Sequence, residues 1–225
     1  MRRLLAIFLI AIFTITTSGC ALNFYKGKPE QERKIQQLTA QVDELEQAKR
    51  MLEERLSKEI GDKQVLLELA SRGLVITMAN DILFDSGKAK LKHNAHSVLK
   101  RIASVIKEAV PNRNIGVEGH TDNVPIKYSG WKSNWELSTA RATTVLHYLI
   151  DECGIEPQKL SAIGYGEYRP ISSNETKESR GKNRRVEIII LPKEVTKKSY
   201  EESQSKVSEE AKSAEESRLS QEAVK

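Results

Sequence analysis

Between Gly73 and Pro192, short β-branched runs alternate with longer stretches of helical periodicity, and this alternation restricts the fold more than any other feature of the chain. Gly73 to Ala79 (GLVITMA) reads as a strand, and Asp81 to Lys92 as a turn-rich loop. His93 to Val110 carries Val98, Leu99, Ile102, Val105, Ile106 and Ala109 at the spacing of one helix face, and Pro111 stops it. Asn114 to Glu118 (NIGVE) is a second strand. Ser133, with Glu136 three residues on, predicts a capping box for a helix that runs to about Cys153 and closes at Gly154. Leu160 to Gly164 is a third strand, Thr176 to Asn183 a short helix, and Arg185 to Leu191 (RVEIIIL) a fourth strand ended by Pro192. The order predicts an α/β (α+β) sandwich with a mixed four-stranded sheet covered by helices on one side, spanning residues 71–192. Some 120 residues are enough to bury a core.

Upstream, residues 31–70 contain no Pro and one Gly, Gly61. Apolar residues fall at Ile35, Leu38, Val42, Leu45, Leu52 and Leu56, a heptad seam with Lys49 at one core position. This predicts a helical, coiled-coil-like stalk of about 50 Å at 1.5 Å per residue, able to pair two chains into a homodimer. After Pro192 the composition shifts to Lys, Glu, Ser and Ala, so residues 193–225 read as a charged tail without a core of their own.

The first twenty residues read as an export signal. Arg2 and Arg3 precede an apolar stretch, and Thr17-Ser18-Gly19 place small residues directly before Cys20. Residues 1–19 are then a signal peptide and 20–30 a modified N-terminus and linker. Small residues followed at once by Cys resemble a bacterial lipobox, which implies acylation of Cys20, with palmitate among the acyl chains. Thr17 departs from the usual Leu of that pattern. Ala21, in place of an inner-membrane retention Asp, points to the outer membrane. The alternative is an uncleaved anchor in the inner membrane, since Leu4 to Phe24 has no charge and is long enough to span a bilayer. Either way the rest of the chain lies outside the cytoplasm, in the periplasm.

Composition narrows the chemistry. The net charge of +5 comes from 36 basic and 31 acidic residues, interspersed, and aromatics are 5%. A nucleic-acid binder concentrates its basic residues on one face, so no nucleic-acid partner is expected. Two cysteines support neither a disulfide framework nor a four-ligand metal site. His93 and His96 lie three apart, and His120 stands near Asp122, but no nucleophile with a positioned base accompanies them. The chain therefore reads as a non-enzyme without cofactor or metal.

Four segments carry the recognition chemistry: Leu83-Phe84-Asp85-Ser86-Gly87; Gly116 to Asn123 (GVEGHTDN); Asn134 to Ala142 (NWELSTARA); and Gly181 to Glu187 (GKNRRVE). Together they resemble the peptidoglycan-binding domain of the OmpA/Pal/MotB family over about residues 74–191. The GHTDNVPI, NWELSTARA and GYGEYRPI wordings stand closest to the MotB branch. The resemblance implies a ligand, the diaminopimelate of the peptidoglycan stem peptide, whose free end carries an ammonium and a carboxylate on one carbon. Asp122 matches the position that takes the ammonium and Arg141 the position that takes the carboxylate; the planar guanidinium fork suits the latter. Asn134 matches a hydrogen-bonding position, Asp85 and Leu137 the pocket rim, and Phe84 and Thr121 lie beside it. Asn183, Arg184 and Arg185 are expected to order the last strand, with Arg184 also within reach of the wall. Val124-Pro125 and an insert holding Tyr128 and Trp131 depart from many relatives. An Asp and an Arg alone would read as a structural salt bridge; the surrounding motifs make them ligand residues.

The resulting expectation is a lipoprotein that tethers a membrane to the cell wall and so supports cell-envelope organisation. Its alternative is an inner-membrane, signal-anchored scaffold that binds a protein partner. Residues 4–24 lack the intramembrane acid that a proton-driven stator needs.

Overall fold

The computed structural model describes residues 29–193 apart from 128 and 129. The export signal, Cys20, Tyr128 and the tail from 194 onward lie outside the described residues. Within them, no helix is long and apolar enough to cross a membrane.

A long helix, α1 (Pro29–Arg55), is followed by the single turn α2 (Ser57–Gly61) and by strand β1 (Val65–Ala70). Then come β2 (Gly73–Ala79), the short α3 (Asn80–Leu83), α4 (His93–Ala109), β3 (Ile115–His120), α5 (Asn134–Asp151), β4 (Leu160–Gly164), α6 (Lys177–Asn183) and β5 (Arg185–Ile190). The strands form one sheet in the order β1-β2-β5-β3-β4. Only β3 and β4 run parallel; the other pairs are antiparallel, so the sheet is mixed as expected.

The sheet has five strands rather than four. Val65 to Ala70 (VLLELA), expected as the end of the stalk, is the edge strand β1. Six mostly apolar residues with one Glu fit a helix seam or an edge strand equally well. The hairpin decides it: Ser71-Arg72 turn the chain, and Gly73 takes φ 118°, where a Cβ would stand 2.1 Å from Ile190 O. Residues 80–83 close into a helical turn where a loop was expected.

Alternation sorts the sheet into two faces. Leu74, Ile76, Met78, Ile115, Val117, Val186, Ile188 and Ile190 join one buried cluster with Val98, Leu99, Ile102 and Ile106 of α4 and Val145 and Leu149 of α5. The stalk helix contributes as well. Leu45, Ala48, Leu52 and Leu56 are buried in the same cluster, while Ile35, Leu38 and Val42 are 62%, 45% and 45% exposed. The seam thus shifts at Lys49, which pairs with Glu53 at 3.2 Å, and Ala48 takes the inward position. Arg113, 1% exposed, fastens the helix: its Nη2 donates to Glu44 Oε2 at 2.6 Å and to Gln41 O at 3.2 Å.

Candidate functional site

Helix α5 sits against β3 and β4 at a distance only glycine permits. A Cβ on Gly119 would lie 2.1 Å from Ser138 O, and one on Gly164 2.4 Å from Thr139 N. Ser133 caps this helix by accepting from the Trp135 N–H at 3.2 Å. Its hydroxyl also meets the Glu136 carboxylate directly, so the cap forms without the reciprocal box expected there. The reciprocal box occurs instead on α6, between Thr176 and Ser179. With α5 this close, Asn134, Leu137 and Arg141, spaced 3 and 4 apart on one helix face, border the end of β3.

Sheet register supplies the rest. His120 pairs with Arg185 across β3 and β5, so the residues just beyond that pair, on opposite chain directions, meet at one sheet end. Asp122 and Arg184 are those residues. Arg184 Nη1 donates to Asp122 Oδ2 at 2.7 Å, and Asp122 Oδ1 accepts from the Val124 N–H at 3.2 Å. Asp122 is 7% exposed.

Arg141 is buried at 3% exposure. Its Nε donates to Lys88 O at 2.9 Å and its Cζ lies 5.4 Å from the Phe84 ring centroid. Its Nη groups make no hydrogen bond among the described residues. Burial, reinforced by the nearby Arg184 guanidinium, pushes its pKa down to about 10. A cleft of about 900 Å³ opens over this centre, lined by Asp122, Asn134, Leu137, Arg141, Thr121 and Arg184 among others. Lys88, Lys127, Lys177 and Arg180 also border it, so six cationic side chains face Asp81 and Asp122. An anionic or zwitterionic ligand fits that balance.

The structure brings six of the sequence-derived residues to the lining directly, namely Thr121, Asp122, Asn134, Leu137, Arg141 and Arg184. Phe84 lies beneath Arg141 at 1% exposure. Asp85 does not reach the cleft: it is exposed and pairs with Lys88 at 3.4 Å. Asn134 Nδ2 is committed to the chain, donating to Val124 O at 3.2 Å and to Glu167 Oε2 at 2.7 Å. Val124, Pro125, Ile126 and Lys127 line the cleft, and Trp131 ties the following stretch to its border, its Nε1 donating to Gly87 O at 2.9 Å. Asn183 orders its loop as expected, its Oδ1 accepting from the Ile171 and Ser172 N–H groups at 2.9 and 3.0 Å. The cleft also takes in Asn80, which sequence reasoning missed because it stands in a segment read as the strand-to-loop junction.

Beneath the site, on the opposite sheet face, Glu118, His120 and Glu187 bring ligand-type atoms within 4.8 Å of one another. Arg72 Nη1 donates to Glu118 Oε2 at 2.7 Å and Arg72 also pairs with Glu187, which Arg185 Nε meets at 2.6 Å. Burial alone would raise the Glu118 carboxyl, but His120 and Arg72 outweigh it and hold it below its ordinary value. Two carboxylates matched by two guanidiniums make an ion-pair network with its counter-charges in place.

The fold defines a class: an open-sheet α/β sandwich whose sheet end carries a charged, ligand-sized cleft. The chain belongs to the OmpA family, whose sequence pattern matches residues 83–184. It is 42% identical over 154 residues to motility protein B of Bacillus subtilis, 68% of this chain and 59% of that protein. It is 40% identical over 116 residues to outer membrane porin F of Pseudomonas aeruginosa, 52% of this chain and 32% of the porin. With the probable lipoprotein YiaD of Escherichia coli the identity is 36% over 119 residues, 53% and 52% of the two chains. The chain thus spans less than two thirds of the length of each of these curated relatives. Among solved structures, the cell wall anchor of the T6SS from Pseudomonas aeruginosa superposes with a TM-score of 0.58 at 33% identity, over 63% of this chain and 97% of that one. The periplasmic domain of Helicobacter pylori MotB gives 0.54 at 31%, over 58% and 83%. None of these names is that of an enzyme.

Proposed function

We propose that the domain binds peptidoglycan without catalysis, through the diaminopimelate end of the stem peptide. The observation that carries this is Arg141: a guanidinium buried to 3% exposure, its Nη groups without a hydrogen bond among the described residues, on the lining of a cleft beside Asp122. Burying a guanidinium with no direct ion pair is costly; the charges of Asp122 and Asp81 offset that cost only in part, and a ligand carboxylate completes the compensation in a bidentate contact. Asp122 takes the ammonium of the same carbon by exchanging its Arg184 partner for it. Arg184, freed or shared, adds a second cation on the carboxylate side. Asn134 acts by holding the Asp122 loop in place, and Leu137 and Thr121 shape the rim.

The rest of the reading follows from the relatives, which include a cell wall anchor and a probable lipoprotein. Acylated Cys20 holds the chain in the outer membrane, facing the periplasm, and the domain tethers that membrane to the wall. Exposed Ile35, Leu38 and Val42 pair two copies along the free half of α1. An inner-membrane anchor is the second reading, favoured by the 42% identity to a motility protein B; labelling with a clickable palmitate analogue separates the two, since only the acylated chain takes it up.

The binding test is co-sedimentation of the full-length chain, in detergent, with diaminopimelate-type sacculi. The wild type should pellet, and Asp122→Ala and Arg141→Ala should stay soluble. A wild type that stays soluble removes the peptidoglycan reading and makes a protein partner the leading one.

A further inference from the structure

Two residues of the cleft lining each carry a buried polar atom without a partner among the described residues. Asn80 is 3% exposed and Thr121 4% exposed. Asn80 Oδ1 and Thr121 Oγ1 are buried and make no hydrogen bond among the described residues. Both residues line the cleft with Asp122 and Arg184.

Their backbone N–H groups are committed. The Asn80 N–H donates to Arg184 O at 3.0 Å, and the Thr121 N–H donates to Gly166 O at 2.9 Å. Asn80 is thereby tied to the residue that holds Asp122, and Thr121 is the residue before Asp122. The backbone fixes each position and leaves the side-chain function unused. Leaving a buried polar atom unpaired lowers stability, and an apolar residue of the same shape would remove the loss: Leu for Asn, Val for Thr. The chain keeps the polar residue at both places. Unfavourable groups of this kind concentrate where binding later satisfies them.

The chemistry of the pair narrows the ligand group. A carboxamide presents a donor and an acceptor side by side, and turning it over exchanges them. Its complement is another amide. A hydroxyl donates and accepts as well. The charged ends of a ligand go to Asp122, Arg184 and Arg141, and these two neutral groups suit the uncharged segment that connects to those ends.

We propose that Asn80 and Thr121 form a peptide-amide subsite in the cleft, hydrogen-bonding the C=O and N–H of a peptide bond next to the charged group of the ligand. This rests on the stem-peptide reading above and extends it from the charged end to the peptide backbone. Neither residue acts through charge, so the subsite reads the presence of a peptide bond rather than a free amino acid.

The experiment is calorimetric titration of the full-length chain in detergent with two probes, a soluble disaccharide-tetrapeptide containing diaminopimelate and free diaminopimelate, alongside thermal unfolding. Asn80→Leu should weaken the muropeptide by roughly tenfold and leave free diaminopimelate unchanged; Thr121→Val, on the rim beside Asp122, should weaken the muropeptide by clearly more than it weakens free diaminopimelate; both should hold or raise the melting temperature. Thr121→Ser should retain wild-type affinity. Unchanged muropeptide affinity in both variants overturns the subsite while the stem-peptide reading stands. A loss that tracks a lowered melting temperature also overturns it, by making the two residues structural. If the wild type binds neither probe, the reading and the subsite fall together.

Discussion

Arg184 reaches across the end of the sheet to Asp122, Nη1 to Oδ2 at 2.7 Å, although 62 residues separate them in the chain. The pair is enclosed, with side chains 28% and 10% exposed. Removing one member leaves the other partly buried without its counter-charge, which costs about 1–3 kcal/mol. Asp122→Asn should therefore lower the melting temperature by several degrees and also abolish pelleting with sacculi. Arg184→Ala should lower stability by a similar amount and weaken binding less, because Asp122 remains to take the ammonium. Equal loss of binding in the two variants would show that the Asp122–Arg184 pair acts as a unit and that Asp122 alone does not hold the ammonium.

Arg141 gives a pH signature. Its pKa is pushed down to about 10, first by burial and then by Arg184. The contact proposed for it needs the charged form, which persists below that value and is lost as pH rises through it. Binding should be flat from pH 7 to 9 and weaken only above about 10. The stability effect has the opposite sign: a base with a lowered folded pKa carries its burial penalty below about 10, and the penalty is relieved as pH rises beyond. Binding titrated at pH 7, 8 and 9 checks this; a fall within that range would assign control to a different group.

How much of this was legible in the sequence depends on range. β2, β3, β5 and α5 follow local rules: β-branched runs, a capping serine and a terminal glycine state their own boundaries. The motif residues Asp122 and Arg141 were found because they sit inside recognisable words. Two things required the third dimension. β1 has six apolar-rich residues compatible with either periodicity, and only pairing with β2 settles them. The Asp122–Arg184 pair depends on the register of β3 against β5, which no local pattern encodes. Asp85 shows the converse failure. Its motif is clear, yet the short α3 turns the segment so that Ser86, Gly87 and Lys88 border the cleft and Asp85 faces solvent.

The stalk helix divides into a docked and a free half, and substitutions should report the boundary. Leu52 is fully buried, so Leu52→Ala should cost about 2–5 kcal/mol. Ile35 is 62% exposed, so Ile35→Ala should cost less than about 0.5 kcal/mol in the monomer. If the free half pairs two chains, Ile35→Glu with Leu38→Glu should shift sedimentation from dimer to monomer without moving the unfolding midpoint of the domain. A wild type that sediments as monomer at tens of micromolar would remove the pairing proposal and leave α1 as a monomeric spacer.

Gly119 links the fold to the site most directly. Its Cα faces Ser138 O so closely that a Cβ would stand 2.1 Å away, and the obstructing atom is backbone, which cannot swing aside. Gly119→Ala must push α5 away from β3. Overpacking of this kind costs about 1–3 kcal/mol or more, and the displacement acts on the helix that carries Asn134 and Arg141. Binding should therefore fall further than the loss of folded protein explains. Gly116 lies on the same strand, and a Cβ there meets only Ser161 Oγ at 3.8 Å, so Gly116→Ala serves as the control. Unfolding curves and sacculus binding measured on both variants separate the effects. If Gly119→Ala keeps full affinity in its folded fraction, the spacing of α5 matters to stability alone, and the cleft tolerates a helix that moves.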